Sequence, residues 1–165
     1  MNVTQLFNEH YDALFRYLVR LTGDSDLAAD AAQEAFVRLV ERPPQDRHLR
    51  AWLFAVATNV VRDNARARSR WFKLLSGSPD RAPMGDRPLA PDAAAEGAER
   101  RAVVRAALDR LSLKERTVLL MREEGFAHHE IASAVGTTTG SVGTMLARAL
   151  NKLSVELAPT SESLR

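Results

Sequence analysis

The chain has 165 residues, 45% of them hydrophobic and 27% charged, with a formal net charge of +2 and no cysteine. That length allows one medium domain or two small ones, and the apolar content is sufficient for real cores. The lack of cysteine excludes disulfides and thiolate metal sites, and the apolar runs are far too short to span a bilayer. The segment Met1-Asn2-Val3-Thr4-Gln5 has no basic stretch leading into an apolar run, so the expectation is a soluble cytoplasmic protein without membrane insertion.

Residues 4 to 22 read as the first helix. Leu6, Phe7, Leu14, Tyr17, Leu18 and Leu21 draw its apolar face, with Thr4 as a start and Gly23 as a stop. Asp24-Ser25-Asp26 offers caps for a second helix over about 26 to 41, with Leu27, Ala31, Phe36, Leu39 and Val40 inward. Pro43-Pro44 ends it. A third helix then runs from Leu49 to Leu75, because no Gly or Pro falls between Pro44 and Gly77. Its front half is apolar, with Trp52, Val56 and Val60 at helical spacing. Its rear half carries Arg66, Arg68, Arg70 and Lys73 around Trp71. Residues 76 to 97 change character: four of the seven prolines fall here, with Met84 and Leu89 as the large apolar residues. Such a stretch cannot bury enough surface to fold alone and reads as a flexible linker.

A second domain follows over 98 to 157, with a tail of 158 to 165. Val103, Val104, Ala107, Leu108 and Leu111 give one helix. Ser112-Leu113-Lys114-Glu115 is a capping-box pattern that opens the next, with Val118, Leu119 and Leu120 inside and Gly125 as its stop. A short helix over about 128 to 134, a turn at Val135-Gly136-Thr137 and a last helix capped by Thr138 complete the chain. The last helix buries Val142, Leu146, Ala149 and Leu153. No strand pattern is persuasive, so the fold class is all-α: two small helical domains joined by a linker, the second a helix-turn-helix.

Several features bear on function. The short helix, glycine turn and capped second helix suit either an ordinary helical hairpin or a DNA-binding helix-turn-helix, whose second helix lies in the major groove. Arg62, Arg66 and Arg70 repeat at i, i+4 and i+8, a row that suits successive phosphates or a solvated charged face. Trp71 among these cations suits base stacking on single-stranded nucleic acid. Trp52 fits a core position or a base wedge, and Asn59 fits solvent or a base edge. His128 and His129 are adjacent, hence about a hundred degrees apart on a helix, and no spaced ligands accompany them. No metal, cofactor or enzymatic activity is expected.

Taken together, Asp30-Ala31-Ala32-Gln33-Glu34-Ala35-Phe36-Val37-Arg38-Leu39 and Ala51-Trp52-Leu53-Phe54-Ala55-Val56-Ala57-Thr58-Asn59 resemble the second region of bacterial extracytoplasmic-function (ECF) sigma factors. Leu111-Ser112-Leu113-Lys114-Glu115-Arg116-Thr117-Val118-Leu119-Leu120, with Gly125-Phe126 and the helix-turn-helix, is similar to their fourth region. The resemblance implies a sigma factor that binds core RNA polymerase through the clamp helices of its largest subunit and through the beta flap, and directs promoter recognition, melting and initiation. It assigns core docking to Asp30, Gln33, Glu34, Val37 and Arg38. It assigns the unwound minus-ten strand to Gln45, Asp46, Arg47, His48, Trp52, Asn59, Arg62, Arg66 and Arg70. It assigns the double-stranded minus-thirty-five element to Thr138, Gly140, Ser141, Thr144, Met145, Ala147 and Arg148. An anti-sigma factor is an expected partner.

The sequence departs from the family pattern in one place. Members usually place basic residues early in the last helix, whereas Gly140-Ser141-Val142-Gly143-Thr144-Met145-Leu146-Ala147 has no cation before Arg148. Arginine-to-guanine readout is therefore unavailable from its early turns. Minus-thirty-five recognition is expected to be weak or tuned to A/T-rich sequence. The competing reading is a stand-alone helix-turn-helix regulator that acts without polymerase core.

Overall fold

Helix α1 spans Val3–Thr22. Its N-cap is Asn2, whose Oδ1 accepts from the Gln5 amide at 3.2 Å, rather than Thr4, which lies inside the helix. Asparagine is the stronger cap of the two, and its use starts the helix one residue earlier than the sequence suggests. Gly23 ends α1 with φ 70°, and its amide bonds the Val19 carbonyl at 2.8 Å. Asp24 then caps α2 (Ser25–Glu41) by accepting from the amides of Asp26 and Leu27. Helix α3 covers Leu49–Ser76, and its 28 residues make it about 42 Å long. The structure, a computed structural model, describes residues 1–45, 48–76 and 95–162. Asp46, Arg47, most of the expected linker and the last three residues lie outside the described residues.

The first unit is built on α1 to α3. Its core takes Leu14, Tyr17, Leu18 and Leu21 from α1, then Ala28, Ala31, Ala32, Ala35, Phe36 and Leu39 from α2. Helix α3 contributes Leu53, Phe54, Ala57, Val60 and Val61. The alanine row on α2 lets its neighbours approach closely, since interaxial distance follows side-chain size at the contact. Tyr17 packs on Phe54 with ring centroids 4.9 Å apart. Its hydroxyl meets Thr58 Oγ1 at 2.8 Å, and Thr58 donates to the Phe54 carbonyl at 2.7 Å, so the buried polar atoms are satisfied. Val40, expected inward, is 59% exposed. It lies three residues after Val37, itself 49% exposed, and so shares that outward face.

The second unit holds α4 (Ala95–Asp109), α5 (Leu113–Glu123), α6 (His128–Val135) and α7 (Thr139–Glu162). The helices take residues from both ends of the expected linker: Ser76 closes α3, and Ala95 to Gly97 open α4. Alanine and glutamate there are strong helix formers, and Gly97 costs only about 1 kcal/mol against them. Likewise α7 runs into the expected tail, because Leu157 continues the half-buried row begun by Leu153. The buried apolar set includes Leu108, Leu111, Val118, Leu120, Met121, Phe126, Ile131, Val135, Val142 and Ala149. Val104, expected inward, is largely exposed. The Ser112 and Glu115 capping box is present, with reciprocal bonds of 3.1 and 2.9 Å. No strand occurs among the described residues, and none of their helices is long and apolar enough to cross a membrane.

Candidate nucleic-acid and polymerase interfaces

Asp30, Gln33, Glu34, Val37 and Arg38 fall at i, i+3, i+4, i+7 and i+8 on α2 and share its outward face. Arg38 Nε donates to Glu34 Oε1 at 2.9 Å. Such an exposed pair adds only about 0.3–0.5 kcal/mol to the helix. Its larger effect is to hold both charges beside Val37 and Val40, making an apolar strip with a polar border. Sequence reading missed Val40 here, although its spacing from Val37 and Gln33 carried the signal.

On α3 the predicted strand-binding residues come together. At about 100° per residue, Trp52, Asn59, Arg62, Arg66 and Arg70 lie within an arc of about 80°. The buried set of Leu53, Phe54, Ala57, Val60 and Val61 occupies the opposite side. Arg66 and Arg70 are exposed, Trp52, Asn59 and Arg62 half-buried. Lys73 continues the arc, and the exposed acid Asp63 sits at its edge. Trp71 is 64% exposed, but it points about 100° away from Arg70 and does not interleave the arginine row. Asn59 does not stand by itself: Arg62 Nη2 donates to its Oδ1. Gln45 and His48 are exposed at the approach to the helix, and the His48 carbonyl accepts from the Trp52 amide.

The helix-turn-helix closes as its turn chemistry requires. Glu130 Oε1 accepts from the Ala127 amide at 3.0 Å at the start of α6. Gly136 ends it with φ 70°, a left-handed conformation that favours glycine. Thr138 then caps α7: its Oγ1 accepts from the Ser141 amide at 3.3 Å and pairs with Ser141 Oγ at 2.7 Å. Gly140, Gly143, Thr144 and Ala147 occupy one exposed arc, with exposed Arg148 at its edge and Asn151 one turn on. Ser141 and Met145 are half-buried on the flank, the former already tied to Thr138. Lys152, further along α7, donates to Glu115 Oε1 at 2.6 Å. That contact and the Ser112 amide hold the Glu115 carboxyl below its ordinary range, outweighing the upward push of burial.

Behind α7, Arg116 of α5 is only 6% exposed. Its Nη1 reaches Asp109 Oδ1 at 3.4 Å and the Leu108 carbonyl at 3.5 Å, while its Nε has no partner. Burial, then repulsion from Arg105, lowers its pKa to about 10, with Asp109 opposing the shift.

The Sigma-70 region 2 family model matches residues 6–71, and the Sigma-70 region 4 model matches residues 101–153. The ECF RNA polymerase sigma factor SigL of Mycobacterium tuberculosis is 34% identical over 159 residues, covering 92% of this chain and 86% of the relative. The ECF RNA polymerase sigma factor EcfG of Rhodopseudomonas palustris is 30% identical over 149 residues, covering 88% and 79%. Among solved structures, the sigma factor RpoE of Bartonella quintana, determined in complex with the anti-sigma factor NepR, superposes with a TM-score of 0.74. It shares 22% identity and covers 94% of this chain and 96% of that one, a likeness of fold. The chain therefore belongs to the ECF RNA polymerase sigma factors of the sigma-70 family, which direct promoter recognition and transcription initiation.

Proposed function

We propose a division of labour within this sigma factor. The α2 face of Asp30, Gln33, Glu34, Val37 and Arg38, extended by Val40, docks on the clamp helices of the polymerase's largest subunit. The second unit rests on the beta flap. The α3 arc holds the unwound minus-ten strand, with Trp52 toward the fork, Asn59 at a base, and Arg66 and Arg70 on phosphates. The exposed face of α7 enters the major groove of the minus-thirty-five duplex, where Thr144, Ala147 and Arg148 are its outward groups. An anti-sigma factor that covers one of these faces is the expected inhibitor, and the protein works in the cytoplasm.

The observation that carries this reading is the placement of the arc of Trp52, Asn59 and the arginines on the side of α3 opposite the core. A structural helix has no need of so many cations on one outward arc, whereas a strand backbone does. The test is run-off transcription with purified core polymerase and a promoter library. Promoter-specific transcripts that vanish with Arg66→Ala/Arg70→Ala, while core binding persists, are expected. Transcripts that survive this change would remove α3 from strand binding.

A further inference from the structure

We infer that Arg62 is a positioning residue that makes Asn59 a donor-only reader of its base, an inference that rests on the proposal that α3 holds the unwound strand. A guanidinium has donors and no acceptor, so the Asn59 atom facing Arg62 Nη2 is the carbonyl oxygen Oδ1. The carboxamide is planar, and fixing its oxygen on Arg62 turns the Nδ2 amide group away from that side. Asparagine left to itself is ambivalent: its terminal torsion is broad and roughly two-fold, and either end can meet a base. With Arg62 in place the flip is blocked, because reversing the amide would set N–H against N–H.

Two positions on one helix supply the device. Asn59 and Arg62 are three residues apart, neighbours on the surface of α3 and both half-buried. Partial burial strengthens a charge-assisted bond and makes a mismatched donor pair costly. The base at Asn59 must then present an acceptor, a ring nitrogen or a carbonyl oxygen, and one that presents an exocyclic amino group to Nδ2 is rejected. Arg62 thereby differs from Arg66 and Arg70, whose exposed heads serve the backbone irrespective of sequence.

The experiment measures open-complex formation by the protein with core polymerase on promoters that carry each of the four bases at every non-template position of the minus-ten element. Asn59→Ala is expected to abolish base preference at one position. Arg62→Met is expected to reduce preference at that same position on the order of tenfold and at no other, with Arg62→Lys restoring part of it. In the Asn59→Ala background, Arg62→Met is expected to change nothing further in base preference. The salt dependence of strand binding separates the roles: Arg66→Ala lowers its slope, whereas Arg62→Met does not. If Arg62→Met weakens all promoters alike and lowers the salt slope, Arg62 is a phosphate contact and the inference fails. If Asn59→Ala alters preference nowhere, the inference fails while polymerase-dependent initiation stands. Loss of all promoter-specific transcription by the unaltered protein overturns the assignment of α3 and this inference with it.

Discussion

Helices α3 and α7 are the two longest among the described residues, at 28 and 24 residues, and each buries one side in its own unit. Their outward sides are opposites. That of α3 offers Arg66, Arg70 and Lys73 beside Trp52 and Asn59, while that of α7 offers Gly140, Gly143, Thr144 and Ala147 before a first cation at Arg148. Cations on α3 give affinity that does not depend on sequence and falls with salt. Small outward residues such as those of α7 leave room for close approach of a duplex but offer few groups for direct readout of base edges. Under the division of labour proposed above, the contrast would shift promoter discrimination from the upstream element toward the unwound strand.

The largest effect expected is on the α3 side. Arg66→Ala/Arg70→Ala should weaken binding to minus-ten single strand roughly 25-fold at 0.1 M salt, since each phosphate contact contributes about 0.7 to the log–log salt slope. A slope that stays the same in a salt titration would erase the contrast. Next is the converse change on α7. A Cβ at Gly143 meets no atom within 4 Å, and arginine is a better helix former, so Gly143→Arg should fold. It should raise affinity for upstream duplex about tenfold and introduce a guanine preference, from a bidentate contact of ~1–3 kcal/mol. Binding selections that return no guanine would mean this face does not enter the groove.

Smaller effects test the scaffold that presents α7. Asp109→Ala leaves Arg116 buried with less compensation and should destabilise the second unit by about 1 kcal/mol in thermal melts, limited by the exposure of Asp109. Arg116→Met should be neutral or stabilising, because it removes a desolvated charge with an unpartnered Nε. The smallest effect is a pH dependence. The Glu115 carboxyl titrates below its ordinary value of 4.5 in the folded protein, so its contribution is complete above that value and is lost as pH falls through the lower, folded one. Glu115→Gln should flatten the acid limb of stability by less than about 1 kcal/mol, while a limb of unchanged steepness would place the titration elsewhere.

Helices, stops and faces were largely legible in the sequence because they follow from periodicity and from a few residues with special backbone chemistry. Gly23, Gly125 and Gly136 all take positive φ at the helix ends where their type and spacing put them. The α3 arc was legible for the same reason, since a row at i, i+4 and i+8 cannot leave its face. What escaped were choices between near-equivalent partners. Asn2 and Thr4 both suit a cap, and the helix used the former. Val40 has the composition of a core residue, yet its angle places it with Val37. Spacing offered Asn59 to a base and Arg62 to phosphate without revealing that Arg62 donates to Asn59 Oδ1. Long polar side chains reach several neighbours, and packing, not periodicity, selects among them.

The buried hydroxyl pair of Tyr17 and Thr58 bears on this most directly. Thr58 immediately precedes Asn59 in the chain. A hydrogen bond from α1 at that point acts as an index pin for α3: it sets the azimuth of the helix about its own axis. A rotation of one residue would carry the bond out of reach and sweep Asn59 about 100° around the cylinder. The azimuth of Asn59, the residue proposed to meet a base, is thus registered from inside the core by a buried hydroxyl pair.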